Sequence, residues 1–359
     1  MSISFFISSS LLALPAAIIA APLAPRQTLA KSDYVRNAMG ASNVLNSNFF
    51  DASTGLWDGQ WWQSANSLTT VADLAAINPD FYDEANGIFE TVFTAAPATN
   101  GNSWLNNFYD DEGWWAMAWI KVYDVTQNTT YLSAAQDIFK DLLTGLDGPC
   151  GSQWWDKEHT QSNSINNELF INVAAALGNR VSDNEDYRSH AEDHANWFLN
   201  AGLLSDSNTF YDGFSLSDCS AECDVLTYNQ GVILGALAEL SRLTGDASWL
   251  DHAASIAQGA MTTLVDSNGI FTEVARYPTN DAVADMFKGV FVRNLVYLQG
   301  ARADDSYVAF LQKNAASIWQ SDWDGDGLLG PDWQGPVENT SAQAQSSGLD
   351  CLVAAAAVS

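Results

Sequence analysis

Two kinds of apolar segment alternate along this chain, and the alternation restricts its fold more than any other feature. One kind keeps its apolar residues on a single stripe. Tyr82, Ala85, Ile88, Phe89, Val92 and Phe93 recur at i, i+3, i+4 and i+7 spacing. So do Tyr131, Ala134, Ala135, Ile138, Phe139, Leu142 and Leu143, and later Trp249, Ala253, Ile256, Ala257, Ala260, Met261 and Leu264. That spacing predicts amphipathic helices with one wet face. The other kind, at 114–125, 169–177, 225–240, 286–298 and 349–358, is apolar on nearly all sides. A helix of that composition has to be enclosed by protein.

The order is buried helix, short turn, amphipathic helix, long loop, then the same again. Counted from Lys31, this gives roughly twelve helices in six pairs with a period of about 50 residues. A ring of six buried helices inside a ring of six amphipathic ones is an all-α (α/α)6 barrel. It is expected to occupy residues 22–359 as one domain. Short turns such as 243–246 and 301–305 then fall on one face and the long loops on the other. Those loops carry Trp57, Trp61, Trp62, Trp104, Tyr109, Trp154, Trp155, Phe210, Tyr211, Trp323 and Trp333. A cleft lined with aromatic rings is expected there, beside the N-termini of the inner helices.

Charge narrows the partners. With 43 acidic and 14 basic residues the net charge is −29, which repels nucleic acid and anionic lipid and suits a neutral polymer. A 47% hydrophobic content excludes a disordered acidic tail. The fourteen Trp exceed what a core of this size needs and hint at stacking on sugars. Residues 1–21 read as a secretory signal peptide, with an apolar run from Leu11 that ends in small residues at Ala20 and Ala21. That run is too short to span a bilayer. The closing run at 351–358, about eight residues, is too short for a lipid-anchor tail. A secreted, soluble protein with no membrane partner, acting as a monomer, is the expectation. Four cysteines fit an oxidising compartment, and the preferred pairing is Cys219 with Cys223 and Cys150 with Cys351. Sequons at Asn128 and Asn339 point the same way.

The chemistry concentrates in Tyr109-Asp110-Asp111-Glu112-Gly113-Trp114-Trp115, at the start of the second inner helix. Acidic residues are favoured at any helix N-terminus by its dipole. Here, however, two adjacent carboxylates lie at the loop-rich end among aromatic residues. At a helix boundary the first residue is not yet helical, so both can reach one cleft. Close carboxylates resist ionising together, so one keeps a proton as a general acid while the other stays charged. Glycosidic-bond cleavage requires such a pair.

The chain resembles glycoside hydrolase family 76, whose members are mostly endo-acting α-1,6-mannanases. The resemblance is carried by that segment, by Asn163-Ser164-Ile165-Asn166-Asn167-Glu168-Leu169-Phe170, by Thr227-Tyr228-Asn229-Gln230-Gly231 and by Phe287-Lys288-Gly289-Val290-Phe291-Val292-Arg293. It departs from the family pattern at Gln153-Trp154-Trp155-Asp156, where a Gly-rich approach to a Trp is expected. The resemblance implies a retaining hydrolase of α-1,6-linked mannan that needs no cofactor, with Asp110 as nucleophile and Asp111 as acid/base. A transglycosidase using the same pair, and a mannan-binding protein without turnover, are the alternatives. Trp62, Tyr109, Trp114, Trp155, Asn167, Tyr228, Asn229 and Gln230 are the candidate sugar contacts. The polar ones among them serve equally well as helix caps.

Three further patterns have ordinary explanations. Asp322, Asp324 and Asp326 with Gly327 resemble the start of a calcium loop but lack its closing glutamate, so an acidic turn is the competing reading. His190 and His194 have metal-like spacing on an outer helix, where a solvated face is expected. Lys288 and Arg293, in a buried helix, are expected in structural ion pairs.

Overall fold

Every segment that is apolar on all sides becomes an inner helix in the computed structural model, which describes residues 29–222, 224–278 and 281–359. The expected signal peptide and Cys223 lie outside the described residues. The inner helices are α2 (Trp61–Ile77), α4 (Tyr109–Thr126), α6 (Ser164–Gly178), α8 (Thr227–Thr244), α10 (Phe287–Ala301) and α12 (Ala342–Ala357). Each packs on the next, and α12 packs back on α2, so the ring closes. The striped segments form outer helices α3 (Tyr82–Thr99), α5 (Thr129–Leu142), α7 (Glu185–Asn200), α9 (Ser248–Thr263) and α11 (Asp305–Ser321). The sixth outer helix is α1 (Lys31–Phe49), which packs on α12 and so joins the two ends of the chain. This is the (α/α)6 barrel expected from the alternation. Two short antiparallel pairs, Phe50–Asp51 with Leu56–Trp57 and Gly213–Phe214 with Ala221–Glu222, decorate the long loops.

Local chemistry sets the helix ends. Asn128, Asp304 and Ser341 cap α5, α11 and α12 with side-chain oxygens that accept backbone N–H groups, and Gly245 ends α8 in the left-handed region at φ 76°. All fifteen residues of α6 are buried, as an inner helix requires. Glycines let the inner helices approach. A Cβ on Gly231 of α8 would lie 2.5 Å from Phe291 Cα of α10, and one on Gly289 of α10 would lie 2.6 Å from Ser347 Cα of α12.

The buried Arg293 is paired across three inner helices. Arg293 of α10 meets Asp350 of α12 at 3.2 Å and donates to Asn66 Oδ1 of α2 at 2.5 Å, while Thr70 of α2 donates to Asp350 at 2.8 Å. Removing one partner of such a pair typically costs about 3–5 kcal/mol, because the other charge is left buried. Lys288 is held differently from the expected ion pair: its ammonium donates to Pro331 O and lies 5.1 Å from the Trp333 ring centroid. The barrel axis is not filled. A cavity of 340 Å³ runs from below Trp114 past Asn172 and Tyr297 to the short-turn end, where Arg180 pairs with Asp124 and Glu239.

The cysteine pairing differs from expectation. Cys150 bonds Cys219, tying the loop before α6 to the loop before α8 across 69 residues of sequence. Closing a loop of that length contributes about 4 kcal/mol in the chain-entropy model. Cys351 cannot reach Cys150 because it is buried in α12 among core side chains, and it is a free thiol. Among the described residues no helix is long and apolar enough to cross a membrane.

Candidate active site

The inner helices all begin on the same face, where the long loops gather, and α4 brings three acidic residues into its first turn there. Two loops form the surroundings. Phe108 bridges Asp156, Tyr109 N–H donates to Trp155 O at 2.9 Å, and Lys157 N–H donates to Asn107 O at 3.0 Å. The loop before α6 is thereby laced to the loop before α4. Trp155 Nε1 donates to Asp110 Oδ2 at 2.9 Å, and the Asp111 backbone N–H donates to Asp110 Oδ1 at 3.0 Å. Asn106 Nδ2 donates to Asp111 Oδ2 at 2.6 Å.

Asp110 and Asp111 are both half-buried, with an outlet to solvent. Burial raises the pKa of each, and the charge of Asp111 raises Asp110 further. Hydrogen bonds to the charged form work against burial, from Trp155 and the backbone for Asp110 and from Asn106 for Asp111. Two carboxyls so placed share one proton near neutral pH. The third acid, Glu112, is fully buried and turned away from the cleft toward Lys157, at 2.6 Å.

A row of near-parallel rings crosses the floor. Trp62 of α2 stacks on Trp114 of α4 at 5.9 Å, Trp114 faces Tyr228 of α8 at 6.5 Å, and Tyr228 stacks on Phe287 of α10 at 4.0 Å. Tyr228 also donates to Asp212 Oδ1 at 2.9 Å. Behind it lie Asn229 and Glu168, both fully enclosed, with Glu168 raised well above the usual carboxyl range by burial and by the charge of Asp212.

The structure thus gathers Asp110, Asp111, Trp62, Trp114, Trp155, Tyr228 and Asn229 at one end of the barrel. It turns three other candidates elsewhere. Tyr109 is buried, its hydroxyl bonded to Thr144 at 3.0 Å and its ring beneath Lys157. Asn167 Oδ1 accepts from Gln153 N–H at 2.8 Å, and its amide donates to Asn163 O at 2.7 Å. Gln230 exchanges hydrogen bonds with the Phe210 backbone at 2.7 and 2.9 Å. These last two brace loops, as caps do. Several loop aromatics also belong to the core instead of a cleft: Trp57, Phe210 and Trp333 are fully buried.

Glu168, Asp212 and Asn106 were not among the candidates. Glu168 had a signal, a lone carboxylate at the mouth of an apolar helix, whereas Asp212 and Asn106 sit in loops without periodicity.

His194 does not face solvent. It is buried, its Nε2 lies 2.9 Å from Asn167 Oδ1, and burial lowers its pKa to about 4. The ring is therefore neutral, and it donates to an oxygen that already accepts from Gln153. The calcium-like aspartates do not converge. Asp324 Oδ1 accepts from the N–H groups of Asp326, Gly327 and Leu328 at 2.8, 2.9 and 3.0 Å, while Asp322 is buried and accepts from Gly330 N–H. Among the described residues no three His, Cys, Asp or Glu are grouped to hold a metal.

The family described as Glycosyl hydrolase family 76 matches residues 30–358. The mannan endo-1,6-alpha-mannosidase DCW1 of Candida albicans is 24% identical over 67% of this chain and 58% of its own length. Its namesake in Saccharomyces cerevisiae is 25% identical over 72% and 62%. This chain thus spans about three fifths of the curated relatives it matches. Among solved structures, an α-1,6-mannanase of Salegentibacter sp. HEL1_6 aligns with a TM-score of 0.82 at 21% identity, over 91% of this chain and 100% of that one. That protein is an inactive variant, substituted at two consecutive aspartates, in complex with α-1,6-mannotriose. Dfg5 of Chaetomium thermophilum, in complex with glucosamine, aligns with a TM-score of 0.77 at 17% identity over 92% of each chain.

Proposed function

Since this chain belongs to glycosyl hydrolase family 76, we propose that it is a secreted, retaining, endo-acting hydrolase of α-1,6-mannosidic linkages. The observation that carries the reading is the adjacent pair Asp110 and Asp111, open to the cleft, each held by a neutral donor from a different loop. Asp110 receives two N–H groups, which favour the charge that a nucleophile needs. Burial raises Asp110 to about 8 and Asp111 to about 6, so the reaction requires the shared proton to pass to Asp111, which delivers it to the leaving oxygen as Asp110 attacks the anomeric carbon. A covalent glycosyl-enzyme results, and Asp111 then takes a proton from the incoming water. Trp62, the half-buried end of the ring row, offers an apolar face for a sugar ring, and the buried rings behind it hold it in place. The acidic surface suits an uncharged polymer. The curated relatives, named as mannan endo-1,6-alpha-mannosidases, support the same substrate.

Incubation with an α-1,6-mannan backbone tests this, with reducing ends and product lengths followed over time. Accumulating shorter oligosaccharides are the expected result. Products longer than the substrate would replace water by a sugar acceptor in the second step, and binding without change in length would remove the enzymatic reading.

A further inference from the structure

The hydrogen bonds behind Asp111 form a chain with a defined direction. Lys157 Nζ meets Glu112 Oε1 at 2.6 Å and Asp141 Oδ2 at 2.7 Å. The same Glu112 oxygen accepts the Asn106 backbone N–H at 3.0 Å. The side chain of Asn106 is fixed in turn: its oxygen accepts the Phe108 N–H at 2.8 Å, and its nitrogen donates to Asp111 Oδ2 at 2.6 Å. A backbone N–H can only donate, so the amide cannot be flipped, and a hydrogen must point at Oδ2. A proton on that oxygen would leave it a far poorer acceptor for this N–H. In the neutral acid the proton therefore sits on Oδ1.

We infer that Asn106 is a positioning residue for the acid/base step, holding Asp111 so that Oδ1 carries the proton, with Glu112 and Lys157 holding Asn106. The inference rests on Asp111 being the acid/base of the proposed reaction. In the first half the Oδ1–H bond breaks as the bond from the anomeric carbon to the leaving oxygen breaks. The bond to Asp110 forms, the leaving oxygen keeps the proton, and Asp111 becomes a carboxylate. In the second half a water O–H proton passes to Oδ1 while the water oxygen displaces Asp110. Throughout, Oδ2 stays on Asn106. That hydrogen bond strengthens when Asp111 is charged, so it assists proton release and moderates the effect of burial. The other ionisable groups around the pair are Glu112 on α4, Lys157 from the loop before α6 and Asp141 on α5. Beyond Asp110 come Tyr228 on α8, Asp212 and Glu168.

The test compares the wild type with Asn106→Asp, which is isosteric but has no N–H to give, and Asn106→Ser, which can still accept from Phe108 N–H but is too short to reach Asp111. On α-1,6-mannan both variants should lose at least about tenfold in kcat with little change in KM. The alkaline limb of kcat/KM, set by the pair losing its shared proton, should move to higher pH. Near-UV circular dichroism and Tm check the fold, and the serine variant covers the case in which the added carboxylate unfolds the loop. A folded variant with wild-type kcat, or a lower kcat with an unmoved alkaline limb, overturns the role of Asn106. An inactive wild type would instead overturn the proposed function on which it rests.

Discussion

Asp110 and Asp111 are neighbours in sequence with different surroundings. Asp110 takes an indole N–H and a backbone N–H, while Asp111 takes one side-chain amide. Exchanging either carboxyl for its amide changes little in volume, so the fold should survive. Asp111→Asn should lower turnover of mannan by about 10²–10⁴-fold. Asp110→Asn should lower it at least as far, since Asp111 is already used as the acid/base and Glu112, the remaining carboxylate of the turn, is buried against Lys157. Initial rates at matched protein concentration check both, and substantial activity in either variant would remove the assignment. The pair was legible in the sequence because two acids among aromatic residues at the start of a buried helix is an unusual combination. Asn167 and Gln230 were not legible as braces: a polar residue at a helix start looks the same whether it faces a ligand or a backbone N–H. Asn106 was invisible, since its role comes from the packing of one loop against another.

Among the elements, the inner helices owe their close approach to glycines in the family segments. Gly231→Ala should destabilise the protein by about 1–3 kcal/mol, the range for overpacking a core, because the added carbon meets backbone of α10 that has no rotamer to change. Gly87 on α3 is the control. A Cβ there meets nothing within 4 Å on an exposed helix face, so Gly87→Ala should raise stability by up to about 1 kcal/mol. Urea unfolding of the two variants checks the contrast, and equal midpoints would contradict the packing account. Helix periodicity predicted both rings because an enclosed helix and a half-wet one differ in composition along their whole length. The loops carry no such signal. The Cys150–Cys219 bond depends on where two loops meet in space, and the core positions of Trp57, Phe210 and Trp333 depend on loops folding inward.

Across the molecule, net charge and buried acids act together. Burial raises Glu273 to about 7, Asp285 to about 6 and Asp322 to about 8. A carboxyl with a raised pKa binds its proton in the folded chain before the unfolded chain does. Stability therefore falls as pH rises through the window between the ordinary carboxylate range and about 8. Self-repulsion from a net charge of −29 acts in the same direction. The Tm should be higher at pH 5 than at pH 8, and the reverse order would contradict this account of the buried acids. Such a profile suits an acidic medium. The chemistry itself is tested most directly by proton NMR of an α-1,6-mannooligosaccharide digest in its first minutes, before the products mutarotate. Attack by Asp110 followed by water inverts the anomeric centre twice, so the new reducing ends should appear first in the α configuration. Ends that appear first as β would mean a single displacement by water and would contradict the assignment of Asp110 as nucleophile.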